Sequence, residues 1–411
     1  MNVIGYAVAS IYKLCVILNH NSTSMGQVKQ RQIELGALNL SSIPEKNLCI
    51  KHIDEKSIKR FIKKNYSPGY CDYCNKELNV VSLEDLMEFM MQGISNFYED
   101  AVNFMSYDSG QGGYLGDTFD ANELIQERVG LETDPFELTE DIINCIQEIA
   151  WSEPDMYYDN ERDELMYQWD YFKNLIKHKS RYLFQNQSSH ETKNAYTILK
   201  EVGKITTNLN LIKKIEKGTS LYRCRQHQSD NAISEIEKLV APPEENAIYP
   251  NRFSPSGISM LYSAFDSMTA ILETLSREDS TKDKITITEL KLKKDIYVID
   301  YTKLPPLPSL FDFEKVKTYY LIRFLYDLVS DFTQEIKKDG KEHIEYVPTQ
   351  VVTEYFRYPF NKNRKNLIEG ILYPSSKNNR KSSSVIFWNN EECLENLELE
   401  EIKIEDIKNY A

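Results

Sequence analysis

Two ligand-bearing pairs, Cys49-x2-His52 and Cys71-x2-Cys74, stand eighteen residues apart near the start of the chain. Thiolates and an imidazole at that spacing match a structural zinc knuckle, in which two tight turns bring four lone pairs together tetrahedrally. The demand on the fold is strict. Whatever else residues 26–80 form, they must make two turns whose side chains meet. The stretch Tyr66–Tyr73 (YSPGYCDY) supplies one, punctuated by Pro68-Gly69. Four protein ligands, Cys49, His52, Cys71 and Cys74, leave no open coordination position. The expected zinc is therefore structural, and its binding would help fold a segment with little core of its own. The alternative is four unrelated buried residues. Cys15, Cys145, Cys224 and Cys393 have no such partners and read as apolar fillers. Seven cysteines, an odd number in a long chain, are not a disulfide framework and fit a reducing cytosol.

A length of 411 residues exceeds what one core usually serves, so two domains are expected. The texture of the sequence places the change between them. Residues 82–180 carry helical spacing. Leu83–Met105 has Leu86, Met87, Phe89, Met90, Ile94, Phe97 and Val102 on one face, and Ser82 with Asp85 is placed for a capping box. Leu138–Ile149, capped by Thr139 or Asp141, and Glu161–Ile176 follow. A Gly-rich loop, Ser106–Asp117, interrupts them. Gln185–Lys193 is polar and aperiodic, as a linker is. Beyond Ala195, strands enter: Ile285–Lys293 alternates at period two, and Asp295–Asp300 and Ser383–Trp388 are further candidates. Helices Ser267–Leu275 and Phe313–Phe332 lie among them, so the second domain is α+β.

The first 25 residues are a separate matter. Val3–Leu18 is mostly apolar, but Lys13 interrupts it and no basic segment precedes it; it is too short to span a bilayer and poor as a signal peptide. Either Met25 is the natural start, or the segment docks on the core as a short helix or strand. A formal net charge of −14 repels phosphate backbones, so nucleic-acid binding is not expected. The basic stretches Lys173–Arg181 and Lys362–Lys381 read as solvated faces.

Four segments of the second half stand out: Gly218–Arg225 (GTSLYRCR), Asn251–Gly257 (NRFSPSG), Met260–Glu273 (MLYSAFDSMTAILE) and Gly370–Ser376 (GILYPSS). Each alone is weak. A Glu on an amphipathic helix is usually solvated, and an Arg is usually surface charge. Together, in order and spacing, they resemble the RES family, named for its Arg, Glu and Ser. The matching positions are Leu221-Tyr222-Arg223, the turn Asn251–Gly257 with Arg252, Leu261-Tyr262-Ser263-Ala264, Ala270–Glu273 and Pro374-Ser375. Asn251 stands where the family often has Gly, a mild change because Asn also tolerates positive φ. A long insertion, Asp312–Lys365, separates the last motif, and Ser376 is the neighbour that would substitute for Ser375. The resemblance covers about Ala195–Glu400. Cys49–His52 and Gly69–Cys74 also look like the zinc-binding, HEPN-like helical domain found ahead of many RES domains. The loop Gly110–Gly116 and the segment Arg181-Tyr182-Leu183-Phe184 are similar to it too. The implied architecture is an extension over 1–25, a zinc-binding helical domain over 26–185 and a RES domain over 195–400, the last resembling the ADP-ribosyltransferase fold.

The resemblance implies an NAD-consuming toxin or defence effector that cleaves the nicotinamide–ribose bond by hydrolysis or phosphorolysis. Glu273, Arg223 and Ser375 would serve catalysis, and Arg252, Tyr262 and Tyr222 would bind NAD, with Arg225 as a spare. The leaving ring nitrogen is already quaternary, so no general acid is needed. What the site must supply is orientation and negative charge near an oxocarbenium-like ribose. A mono-ADP-ribosyltransferase acting on a protein or nucleotide would use the same pocket and differ in product. A ribonuclease of the HEPN type needs Arg-x4–6-His on one helix, and residues 26–190 contain no such spacing. An interaction module with an inactive second domain is the third reading, and the intact residue set argues against it. A cytoplasmic enzyme that consumes NAD needs restraint. An antitoxin or regulatory partner, or autoinhibition by the zinc-helical domain, is expected; a homo-oligomer is left open, and no membrane association is expected.

Overall fold

The structure, a computed structural model, describes residues 24–110, 112–154, 161–182, 190–229, 233, 235–275, 281–334, 340–378 and 381–410. Residues 1–23, much of the expected linker, Gln111 of the Gly-rich loop, and Leu183 and Phe184 lie outside the described residues. The fold is mixed α and β, and no helix among the described residues is long and apolar enough to cross a membrane. The chain forms two units. One joins residues up to Tyr158 with Pro308–Val316; the other joins Asp159–Leu307 with Lys317–Ala411.

In the first unit, three antiparallel strands, β1 (Asn47–Cys49), β2 (Ser67–Cys71) and β3 (Lys76–Ser82), lie in the order β1-β3-β2. Helices Lys56–Asn65, Leu83–Ile94 and Phe136–Cys145 pack around them. The Ser82 hydroxyl accepts the Asp85 N–H at 3.0 Å and donates to the Asp85 carboxylate at 2.6 Å. The cap therefore forms, but Asp85 answers at the hydroxyl and not at the backbone. The helix expected to run to Met105 stops at Ile94. There the Asn96 amide donates to the carbonyls of Gln92 and Gly93 at 2.8 and 3.2 Å, closing the last turn. Val102, counted on the apolar face, is 62% exposed. The helix expected over Leu138–Ile149 runs over Phe136–Cys145, with Pro135 in the cap position. Thr139 and Asp141, expected as caps, lie inside it: Thr139 is buried, and Asp141 accepts from Lys46 and from the Tyr73 hydroxyl.

The segment Pro308–Val316 completes this unit. Phe311 is buried in its core, and the ring of Phe313 lies 5.1 Å from that of Phe89. Gly93 makes room for it. A Cβ there would meet Phe311 Cδ1 at 2.9 Å and the Leu310 carbonyl at 3.0 Å.

The second unit is built on one eight-stranded sheet. Its strands are β4 (Ile212–Ile215), β5 (Ser220–His227), β6 (Leu261–Ala264), β7 (Lys284–Leu292), β8 (Ile296–Asp300), β9 (Ile368–Pro374), β10 (Ser382–Ile386) and β11 (Leu397–Asp406). They lie in the order β11-β7-β5-β6-β10-β9-β8-β4, and every neighbour pair is antiparallel except β8 with β9. Helices Glu161–His178, His190–Asn208, Val316–Thr333 and Val347–Arg357 supply the large core that covers part of it, with Trp169, Phe172, Phe324, Phe332 and Phe356 fully enclosed. Lys173, read from sequence as part of a solvated face, ion-pairs with Asp331 at 2.6 Å, and Asp331 also accepts the Trp169 indole N–H.

Candidate active site and metal centre

The central strands β5 and β6 pair at one register position only, Tyr222 opposite Ala264. Elsewhere they splay. Arg223, next along β5, donates from Nη1 to the Tyr262 carbonyl at 2.9 Å, so a guanidinium takes the place of a ladder partner. Among the described residues no carboxylate pairs with it. Burial lowers its pKa below the ordinary arginine value, the mark of a cation held where water solvates it poorly.

The splay opens a cleft of about 320 Å³. Tyr222, Arg223, Arg252, Tyr262 and Glu273 all line it. Arg225 does not; it donates to the Lys238 carbonyl on another part of the surface. Glu273 arrives on the helix Ser267–Thr274, which begins where Asp266 accepts the N–H and the hydroxyl of Thr269 at 2.8 and 2.7 Å. Ala270 and Ile271 bury one face of that helix with Ile285 and Ile287 of β7, which leaves Glu273 toward the cleft.

Ser375 is buried and donates its hydroxyl to Glu273. Its oxygen also accepts the backbone N–H groups of Lys377 and Asn378, each at 3.1 Å. Ser376 and Lys377, in contrast, face the cleft. The serine pair thus differs: Ser375 bonds the Glu273 carboxylate, and Ser376 lines the cleft.

Tyr262 is held from its far end. The hydroxyl accepts the Phe253 N–H at 3.1 Å and pairs with the Ser254 hydroxyl at 3.0 Å, and burial pushes the phenol up to about 12. It therefore anchors the turn that carries Arg252. The insertion Asp312–Lys365 anchors the same turn. Arg252 donates to the carbonyls of Phe332 and Gln334 at 2.6 and 2.8 Å, at the end of helix Val316–Thr333. The Thr349 hydroxyl donates to the Arg252 carbonyl, and the Gln350 amide donates to the Asn251 carbonyl at 2.8 Å. Tyr346, also from the insertion, lines the cleft with its ring 5.8 Å from the Arg252 guanidinium. The sequence offered no sign of this: none of these insertion residues sits in a motif. Tyr373 was missed as well. It lines the cleft beside Pro374, and burial, with Glu273 next in importance, drives its pKa well above the phenol range.

In the first unit, β1 and the 3-10 turn Ile50–His52 carry one ligand pair, and the β2–β3 turn carries the other. The ligand atoms of Cys49, His52, Cys71 and Cys74 all lie within 4.8 Å of one another. Cys49 Sγ and Cys74 Sγ are 3.9 Å apart. His52 Nδ1 bonds the Asp134 carbonyl, which turns Nε2 inward, and Nε2 is buried with no hydrogen-bond partner. A buried imidazole nitrogen facing three thiols, its other nitrogen fixed by a carbonyl, is the arrangement a metal-ligating histidine takes. Burial raises the Cys71 pKa, but backbone N–H groups of Cys74, Tyr73 and Cys49 outweigh it and bring the thiol down to about 7. Cys145, Cys224 and Cys393 are buried core residues, and Cys224 also lines the cleft.

Comparison with protein families gives two matches. HEPN/RES N-terminal domain 1 matches residues 64–190, and RES domain matches residues 220–405. The first begins at Lys64, so it takes in Cys71 and Cys74 and leaves out Cys49 and His52. No curated protein and no solved structure matches.

Proposed function

Because the chain is a RES-domain protein with an HEPN/RES-type N-terminal domain, we propose that its second unit binds NAD in the cleft between β5 and β6 and cleaves the nicotinamide–ribose bond. A RES domain points to an NAD-related, toxin-type function. The observation that carries the finer reading is Arg223: a desolvated guanidinium, without a carboxylate partner among the described residues, lining the same cleft as Glu273. Such a cation favours an anionic ligand, and a diphosphate matches its fork.

Arg223 and Arg252 bind the diphosphate, and Tyr262 and Tyr222 shape the wall against which the nicotinamide end lies. The C1′–N bond breaks with its electron pair going to the ring nitrogen, which discharges the pyridinium. The ribose passes through an oxocarbenium-like state that Glu273 stabilises, held in place by Ser375. Water or phosphate then bonds C1′, and a water acceptor gives its proton to solvent. The products are nicotinamide and ADP-ribose or its phosphate. Purified protein mixed with NAD tests this by chromatography of nicotinamide; absence of release at micromolar enzyme over hours refutes it.

The four first-unit ligands suit zinc by donor type and by the orphaned His52 Nε2, and we read them as a structural site. A bound ion there would tie β1 to the β2–β3 turn and take no part in the reaction.

A further inference from the structure

The cleft does not end at Arg223. A second chamber of about 310 Å³ adjoins it and shares Arg223, Cys224, Asn251, Tyr262 and Thr274 with it. Glu273 lines the first chamber and not the second. The second has an apolar wall of Ala247, Ile258 and Met260, and at its mouth stands Tyr249, 76% exposed with its neighbour Ile248 61% exposed. An exposed aromatic beside an apolar wall is the arrangement that stacks a heteroaromatic base. Each chamber is near the small end of the volumes that ligand sites take, roughly 300–1,000 Å³, and so suits one nucleoside better than two.

We infer that the second chamber receives the adenosine half of the dinucleotide, with the base stacked on Tyr249. The inference rests on reading the cleft as an NAD site and extends it. A dinucleotide is two nucleosides joined by a diphosphate; the structure is two chambers joined at an arginine. The reacting ribose must lie with Glu273 in the first chamber, so the diphosphate falls at Arg223 and the adenosine beyond it. Among the described residues lining the second chamber, Arg223 is the only charged one. A 2′-phosphate on the adenosine ribose would find no cation of its own there, so the chamber fits an unphosphorylated adenosine.

The test uses the full chain and ADP, which carries the adenosine and the diphosphate and lacks the nicotinamide ribose. ADP affinity is measured by calorimetry for the wild type, Tyr249→Ala and Tyr249→Phe, and nicotinamide release from NAD is measured separately on the same samples. The expected result is ADP binding by the wild type, weakened about tenfold or more by Tyr249→Ala and retained by Tyr249→Phe. Equal affinity in wild type and Tyr249→Ala, or no ADP binding at all, overturns the inference. ADP binding that depends on Tyr249 in a protein that releases no nicotinamide would uphold the chamber and sink the reaction, so the two failures are told apart.

Discussion

The hydroxyl of Ser375 donates a hydrogen bond to the carboxylate of Glu273 across 102 residues of sequence. Ser375 directly follows β9, and Glu273 stands near the end of a short helix whose side chains line the cleft. Glu273→Gln keeps the shape and removes the charge, and is expected to lower nicotinamide release about 10²-fold. Ser375→Ala leaves the charge but frees the carboxylate to turn. Its expected effect is smaller, about tenfold, and confined to kcat, because the hydroxyl faces Glu273 and not the ligand. Steady-state kinetics on both variants checks this; a Ser375→Ala effect confined to KM would refute the positioning role.

Arg223→Ala is expected to raise the KM for NAD at least tenfold, with kcat changing less. Arg223→Lys should not restore it. A lysine cannot both donate to the Tyr262 carbonyl and offer a planar fork to the diphosphate. Parallel NAD titrations of the two variants decide the point.

NADP should be a poorer substrate than NAD, by at least tenfold in kcat/KM. The chamber assigned to adenosine holds no second cation among the described residues to meet a 2′-phosphate, and an unpaired phosphate near buried apolar surface is costly. Equal rates on the two dinucleotides would show that the adenosine ribose lies elsewhere.

Elemental analysis of the purified protein should find one zinc per chain. Stripping it with a strong chelator, or replacing Cys71 with Ser, should lower the melting temperature of the first unit and leave His52 with an unpaired buried nitrogen. Retention of full stability without metal would mean that the four residues are merely neighbours.

Gly93→Ala tests the packing of Phe311. Alanine improves helix propensity by about 1 kcal/mol. Here the new methyl would press on the Phe311 ring and on the Leu310 carbonyl, and a backbone carbonyl yields poorly. Overpacking of this kind costs about 1–3 kcal/mol, so net destabilisation is expected in a denaturant titration.

Much of the site was legible because its chemistry depends on residue types that stand out. Arg223, Arg252, Tyr262 and Glu273 lie in short motifs whose order survives in the sequence, and the structure gathers them around one cleft. The strand at Ile285–Lys293 was equally plain from its alternation, and the structure has it one residue earlier, with Thr286 and Thr288 buried as fully as Ile285 and Ile287. What stayed hidden depends on backbone. Phe332 and Gln334 hold Arg252 through carbonyls, which every residue possesses, so no spelling of the insertion could announce them. Helix ends were obscure for the same reason. At Ile94 the apolar spacing continues through Phe97, but backbone N–H groups of Ser95, Asn96 and Phe97 close tighter turns there, and the Ser95 hydroxyl and Asn96 amide take up the carbonyls of Gln92 and Gly93. Residues 161–178 read as belonging with the helices before them, and the family match extends over them. In the structure they group with the second unit, because Trp169 and Phe172 bury against Phe332 and its neighbours.

Pro308–Val316, spliced into the first unit from the middle of the second, makes the two halves inseparable by a single cut. A fragment ending near residue 185 would fold around a hole the size of Phe311, and one beginning near 195 would carry that ring into water. Neither half is a cassette that one crossover could trade for a relative's. A chimaera that keeps its solubility must exchange this strap together with the core it plugs, and a nick within the strap should loosen the first unit although the cut lies more than a hundred residues beyond Tyr158.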